Sequence, residues 1–329
     1  MNTSIPGKIN YVVLEWMNTD RMTDKCKIIC YITAYEDPKS VLDCINAINC
    51  QSLPIDKLLI LDNSINSPLL YLTNKKDIFI KFHPENIGIG AGLTWAIKWA
   101  IDREYNFLWT FDQDSIPTRN CLEILLATYH QLAQKDNYKV GIIAPTPSDP
   151  RTGKVIEGAI FFKDRFIGLK HNDNVDFYEC DSPITSGSLI SLAAAQTILP
   201  PCSDLFIDGI DLDYGLRLRQ KGFHNLIVTN AIMHHNFGNP IYVKFKNKYR
   251  CIQQYSALRY YYICRNHTCL EIRLSQGYYR LTSFKWRIKY MLISIFWILK
   301  FNSENRKLKI WACLLGTFDG LIGNLGKNW

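Results

Sequence analysis

Apolar residues in the first half of the chain fall into short β-branched runs separated by helix-period stretches. Residues 27–35 (KIICYITAY) read as a buried strand, and Pro38 opens a helical pattern through Val41, Leu42, Ile45 and Ile48. Residues 57–61 (KLLIL) and 78–82 predict a second and a third strand. A glycine-led turn at Gly88 leads into a helix ending at Ile101, and residues 107–111 form a fourth strand. A helix over 122–132 and a strand over 140–144 follow. Strands alternating with helices imply βαβ units and a mostly parallel, doubly wound α/β sheet. Ligands of such sheets sit beyond the carboxyl ends of the strands. The polar clusters Asp62-Asn63-Ser64 and Asp112-Gln113-Asp114 lie at those ends.

Beyond residue 148 the pattern loosens, with Pro150, Gly153, Gly158 and Gly168 marking turns. Residues 212–221 predict a helix stopped by Gly222, residues 226–228 a short strand, and residues 246–265 an aromatic-rich helix. Residues 290–299 (YMLISIFWIL) are apolar for only ten positions, whereas a bilayer span needs roughly 20. Lys285, Arg287, Lys289, Arg306, Lys307 and Lys309, beside Trp286, Trp297 and Trp311, suit a helix lying in a membrane interface. A helix packed against the domain with a solvated basic face is the alternative.

Composition narrows the class. A 47% hydrophobic and 21% charged chain is that of a globular protein. The absence of repeats and low-complexity tracts argues against solenoids and disordered scaffolds. The N-terminus lacks the basic-then-apolar layout of a secretion signal, since Glu15 interrupts its short apolar run. Eleven scattered cysteines lack zinc-knuckle spacing and read as reduced thiols of a cytosolic protein. The net charge of +8 is uneven: residues 241–329 carry 16 Lys/Arg against three acids, and the remainder is net acidic. Such a tail faces phosphates, of nucleic acid or of anionic lipid. Three regions are therefore expected: an N-terminal extension over 1–24, an α/β domain over 25–240, and a helical basic region over 241–329.

Asp112 and Asp114, on alternate residues after a buried strand, are costly to place there unless something positive neutralises them. A divalent cation with oxygen ligands, Mg²⁺ or Mn²⁺, would do so, and helix capping by one Asp is the bland reading. Asp208, Asp211 and Asp213 form a second acidic cluster ahead of a helix. Its dipole would stabilise some of them, and one could serve as a general base. His234 and His235 follow a strand, and one imidazole could complete a metal site. The glycines of residues 86–92 (NIGIGAG) fall as G-x-G-x-G and follow the third strand, so the dinucleotide-binding fingerprint fails. A phosphate contact at that helix start and a tight turn both remain open.

In this order the motifs resemble the inverting family 2 glycosyltransferases of GT-A fold, within them the bacterial rhamnosyltransferases of O-antigen and capsule assembly. The resemblance covers about residues 25–326. It implies a doubly wound mixed sheet with a helical, basic C-terminal extension. Thr33-Ala34-Tyr35-Glu36 is similar to the loop that cradles the nucleotide, and Asp62 to the residue that bonds the pyrimidine base. Asn86-Ile87-Gly88 resembles the N-x-G segment, and Asp112-Gln113-Asp114-Ser115 the DxD-type motif in its rhamnosyltransferase-like form.

The resemblance further implies that the segment Thr185-Ser186-Gly187-Ser188, with Gly187 and Ser188 as its site residues, lines the donor and acceptor region, where Asp213 and Arg265 are also placed. Arg265 would contact a diphosphate or an acceptor phosphate. Asp211 falls at the position of the catalytic base, with Asp208 as rival, and the metal ligands are Asp114, Asp112 and His235. The implied cofactor is Mg²⁺ or Mn²⁺, and the donor a nucleoside-diphosphate sugar, dTDP-β-L-rhamnose or a UDP-sugar. The acceptor would be a lipid-linked saccharide, with the enzyme peripheral on the inner face of the cytoplasmic membrane. A nucleotidyltransferase would share the acids but needs a glycine-rich, basic first loop, which residues 33–39 lack. No recognisable nucleic-acid module accompanies the basic tail, so no nucleic-acid partner is expected.

Overall fold

The computed structural model describes residues 26–66, 68–73, 77–301 and 304–329. The extension expected over residues 1–24 lies outside them. The chain begins as β1 (Ile28–Ala34), α1 (Pro38–Asn49), β2 (Lys57–Asp62), β3 (Ile78–Phe82), α2 (Gly88–Ile101) and β4 (Phe107–Asp112). It continues through β5 (Ser115–Pro117), α3 (Cys121–Ala133), β6 (Val140–Asp149) and β7 (Lys154–Val155). The loosened segment holds β8 (Ala159–Phe162), β9 (Arg165–Gly168) and β10 (Phe177–Cys180). Next come β11 (Leu189–Ser191), α4 (Leu192–Ala195), α5 (Ile210–Gln220) and β12 (His224–His235). The chain finishes with β13 (Asn239–Phe245), β14 (Lys248–Gln254), α6 (Ala257–Leu274), α7 (Tyr278–Phe301) and α8 (Arg306–Ile322).

The main sheet runs β10-β12-β6-β11-β4-β1-β2-β3, with β5 and β7 paired at its side. Strands β3, β2, β1 and β4 are mutually parallel, and β11 is inserted antiparallel between β4 and β6. Alternation along each strand feeds two cores. Ile28, Cys30 and Ile32 of β1 face α1 and α3, and Ile29 and Tyr31 face α2 and α5. Leu58 and Ile60 of β2 follow the first set, Leu59 and Leu61 the second. Burying each such side chain contributes about 2 kcal/mol.

Two expectations are corrected. Residues 246–254 are not helical: they belong to the β13–β14 hairpin, and the helix begins only after Ser256, whose Oγ caps Arg259 N–H. The signal was period-two alternation of Ile241, Val243 and Phe245 with polar or charged neighbours. The strand expected over 226–228 extends to His235, because the register shift between Val228 and Ile232 absorbs Thr229, Asn230 and Ala231. That extension carries His235 to the carboxyl edge of the sheet.

The C-terminal helices have an apolar cluster of their own, in which Tyr261, Tyr262, Ile298 and Cys313 pack around Phe206. The apolar run of residues 290–299 lies within α7, and among the described residues no helix is long and apolar enough to cross a membrane. Arg287 and Lys309, expected on an outer basic face, point inward, with Arg287 3.6 Å from Glu271 in the interior.

Candidate active site

A cleft of about 330 Å³ opens at the carboxyl edge of the sheet, and its walls carry Asp112, Asp114, Asp208, Asp211, His235 and Arg259. β4 ends at Asp112, the turn to β5 holds Asp114, and β5 pairs with the end of β12 so that Ser115 opposes His235. Strand alternation decides between the two histidines: His235 turns inward and His234 lies exposed. Asp112, Asp114 and His235 each offer a ligand atom, all within 4.8 Å of one another. His235 Nδ1 lies 3.4 Å from Asp114 Oδ1, and Nε2 lies 3.9 Å from Asp112 Oδ2. Burial pushes the Asp114 carboxyl upward, His235 draws it back, and the Asp112 charge adds to the rise. Two crowded carboxylates and one imidazole fit a hard divalent cation, whose charge would relieve the repulsion.

A second layer of hydroxyls holds this cluster. Ser115 Oγ lies 2.8 Å from His235 Nδ1 and 2.6 Å from Ser186 Oγ, and Ser186 Oγ accepts from Asp112 N–H at 2.9 Å. With Nδ1–H donating to Ser115, the Nε2 lone pair is free on the Asp112 side.

The opposite wall carries the acidic block. Gly209, at φ +79°, leads into α5, so Asp211 sits in its first turn. Asp208 faces Arg259, with Nε 3.3 Å from Oδ2. Asp211 has no cationic partner among the described residues and accepts on Oδ1 from Leu212 N–H. Burial pushes its carboxyl to about 6, with the Asp208 charge adding to the rise. Burial also raises Asp208, but Arg259 opposes that rise.

A rim beside the cleft is formed by the loops after β1, β2 and β3. Thr33 and Ala34 end β1, and Ala34 pairs with Asp62 in register. Gln113 ties this rim to the metal loop: its Oε1 accepts from Tyr35 N–H at 2.6 Å and its Nε2 donates to Tyr35 O at 3.1 Å. Glu36 N–H donates to Ser64 Oγ, and the Glu36 carboxylate accepts from Ile65 N–H. Asp62 is fully buried, with Oδ1 accepting from Ser64 N–H and Oδ2 without a hydrogen-bond partner among the described residues. That orphaned acceptor is one a ligand N–H would satisfy. Asn86 Oδ1 accepts from Gly88 N–H. A Cβ on Gly88 would lie 2.5 Å from Phe206 O, and Ile89 and Gly90 N–H donate to that same carbonyl. The glycines thus serve close packing, and Phe206 occupies the helix-start amides that a phosphate would need.

Residues 29–195, just over half of the chain, match the model of glycosyl transferase family 2. The chain belongs to that family. No curated protein sequence matches it. The fold is similar to that of the S. aureus TarS fragment 1–349 in complex with UDP-GlcNAc, with a TM-score of 0.51 at 12% identity, covering 90% of this chain and 81% of that one. GalNAc-T7 with UDP, GalNAc and Mn²⁺ is similar at a TM-score of 0.54 and 11% identity, covering 83% of this chain and 58% of that one. The chain spans 44% of the longer S. aureus TarS chain. At such identities the likeness is one of fold, a GT-A-like mixed sheet.

In this family member several expected site residues lie away from the cleft. Asp213 is buried between Arg217 and Arg273, at 2.8 Å from each, and braces α5 against α6. Arg265 is fully buried in a cage of carbonyls: it donates to Asp204 O, Leu205 O and Gly326 O and to Asn266 Oδ1. No nitrogen of that guanidinium faces the cleft, so it is a structural clamp. Gly187 and Ser188 stand behind the wall, which Thr185 and Ser186 present instead. Gly187 is needed there, at φ +79°, because a Cβ would meet Met233 Sδ at 2.6 Å. Sequence reasoning missed Arg259. Arg259, six positions before the Arg-Asn pair, carried no signal that set it apart from other basic residues.

Proposed function

We propose that this glycosyltransferase is metal-dependent and inverting, moving a sugar from a nucleoside diphosphate onto a hydroxyl of a lipid-linked saccharide. The observation that carries the reading is a single cleft holding the Asp112, Asp114 and His235 cluster together with the Asp211 carboxylate. Asp112, Asp114 and His235 would hold Mg²⁺ or Mn²⁺, and Mn²⁺ is present in the GalNAc-T7 structure. When bound, that ion supplies positive charge against the leaving diphosphate. Asp62 Oδ2 accepts from the pyrimidine N–H, and the rim of Thr33, Ala34, Tyr35, Glu36, Asn86 and Gly88 holds the nucleoside.

Asp211 removes the proton from the acceptor hydroxyl as it attacks the anomeric carbon in one displacement, which inverts configuration. Its raised pKa suits a base working near neutrality. Asp208 is the weaker candidate, because the Arg259 guanidinium holds its charge. The Asp-Gln-Asp-Ser sequence favours dTDP-β-L-rhamnose as donor, with an α-L-rhamnoside as product in O-antigen or capsule assembly at the inner face of the membrane. A UDP-sugar is the second reading, favoured by the UDP-GlcNAc bound in the TarS fragment and the UDP in GalNAc-T7.

Thermal stabilisation by dTDP, UDP and GDP, each with and without Mn²⁺, tests this. A ligand at about 100 times its dissociation constant adds roughly 2.7 kcal/mol. Metal-dependent stabilisation by dTDP above UDP, lost in Asp114→Ala, is the expected result. A UDP preference selects the second donor, and no response to any pyrimidine diphosphate removes the reading.

A further inference from the structure

The β13–β14 hairpin leaves the sheet directly from the cleft. It starts after Gly238, which lines the cleft, and returns through Tyr255 to Ser256, the cap of the helix that carries Arg259. Its root is rigid: Arg151 donates to Phe237 O and Gly238 O, and a Cβ on Gly238 would lie 2.9 Å from the Tyr255 ring. Its tip turns through Lys246 and Asn247, at φ +46° and +58°, the backbone of a tight two-residue hairpin turn. One face is glued to α7, with the Phe245 ring 5.4 Å from that of Trp297 and Lys300 Nζ 4.3 Å above it. Tyr242, Lys244 and Tyr249 alternate onto the other face, and the two tyrosines are 61% and 77% exposed.

Charge on this region is one-sided. Lys244, Lys246, Lys248 and Arg250 are exposed on the hairpin, as are Lys285, Lys289 and Lys300 on α7. Of the three acids in residues 241–329, Glu271 and Asp319 are buried, which leaves Glu304 as the exposed carboxylate. The same helices carry exposed apolar stripes: Leu292, Phe296 and Leu299 on α7, and Trp311, Leu314 and Phe318 on α8. A second copy seated here would bring like charges together without acids to offset them. Nucleic acid would match the charge but gain little from aliphatic stripes. An anionic bilayer satisfies both features, taking the apolar side chains below its headgroups and the lysines at their level.

We propose that the β13–β14 hairpin and the outer faces of α7 and α8 form one docking surface for an anionic phospholipid bilayer, with the hairpin tying that bilayer to the cleft. This deepens the reading of a lipid-borne acceptor, yet it is tested without turnover. The full chain is floated with phosphatidylcholine vesicles containing or lacking phosphatidylglycerol. It should float with the anionic vesicles only and be largely released by high salt. Replacing Lys244, Lys246 and Lys248 with Gln should weaken binding about fivefold each, on the order of a hundredfold together. Trp311→Ser with Phe318→Ser should abolish the fraction that resists salt. Circular dichroism and melting temperature show that each variant is folded. Equal binding to neutral vesicles, or lysine variants that float like the parent, would overturn the proposal. So would a dimer in sedimentation that dissolves on Trp311→Ser, which assigns the face to a second copy. Normal anionic flotation by a preparation that transfers no sugar supports the docking surface and counts against the proposed reaction.

Discussion

Ser115 Oγ lies 2.8 Å from Nδ1 of His235, and that one contact orients the imidazole of the acidic cluster. Ser115 in turn meets Ser186, so a relay of hydroxyls adds to the edge-on packing of the ring against Phe237, 4.9 Å between centroids. Ser115→Ala should leave the three ligand groups in place but free the ring. Losses of outer partners of this kind typically cost 10–100-fold in metal affinity. Titration of Mn²⁺ against the melting temperature, with dTDP or UDP present, measures the change. An unaltered affinity would show that His235 needs no such support.

Asp211→Asn separates chemistry from binding. Turnover should fall by roughly 10²–10⁴-fold, the worth of a general base, while stabilisation by nucleotide and Mn²⁺ is retained. Near-normal turnover would move the role of base to Asp208.

The same substitution should make the free protein more stable at neutral pH. Burial raises the Asp211 carboxyl from 3.8 to about 6, so folding favours its neutral form. That contribution is complete below the unfolded value and is lost as pH rises through about 6. Above that pH the parent carries a charge that burial disfavours, and asparagine does not. The gain should be about 3 kcal/mol well above the transition and vanish in acid. Melts of both proteins across the range check it. In the parent, kcat/KM should show an acid limb near 6, because only the carboxylate accepts a proton.

Gln113 predicts a link between the two halves of the site. Its amide makes a paired hydrogen bond with the Tyr35 backbone and joins the metal loop to the nucleoside rim. Gln113→Ala should weaken nucleotide binding about thirtyfold, since two bonds of about 1 kcal/mol are lost. Glu at this position keeps only the acceptor half and should be intermediate. Isothermal titration with dTDP and UDP reads the difference.

Most of the sheet was legible because its strands are apolar on both faces. KIICYITAY and KLLIL feed two cores at once, and nothing but a buried strand suits them. Asp112 and Asp114 stood out as acids at the end of such a run, whereas Asp211 and His235 were set apart from their acidic and histidine neighbours only by the family resemblance. The rest depended on relations that no local pattern contains. The polar pair Thr229 and Asn230 looked like a strand end and is instead absorbed by a register shift. The hairpin looked helical because its aromatics are spread over both faces, and Tyr242 and Tyr249 are exposed rather than packed. Arg259 and Arg265 are one residue type on one helix, yet one faces the cleft and the other sits among carbonyls.

That last contrast yields the sharpest separation of binding from folding. Arg265 and Asn266 hold the segment before α5: Asn266 Nδ2 donates to Leu205 O, Ile207 O and Asp208 O, and Arg265 reaches Asp204 O and Leu205 O. Removing the guanidinium takes the donor from Gly326 O and Asn266 Oδ1, while Asp204 O and Leu205 O keep Gly326 N–H and Asn266 Nδ2, and each buried group left unpaired costs about 1–3 kcal/mol. Arg265→Met should therefore destabilise the fold by roughly 3–5 kcal/mol. The folded fraction should still bind nucleotide and Mn²⁺ with the parent affinity. Arg259→Met should do the reverse, leaving the melting temperature within a few degrees while impairing transfer. A parent-like melt for Arg265→Met with weakened nucleotide binding would return Arg265 to the cleft as a diphosphate ligand.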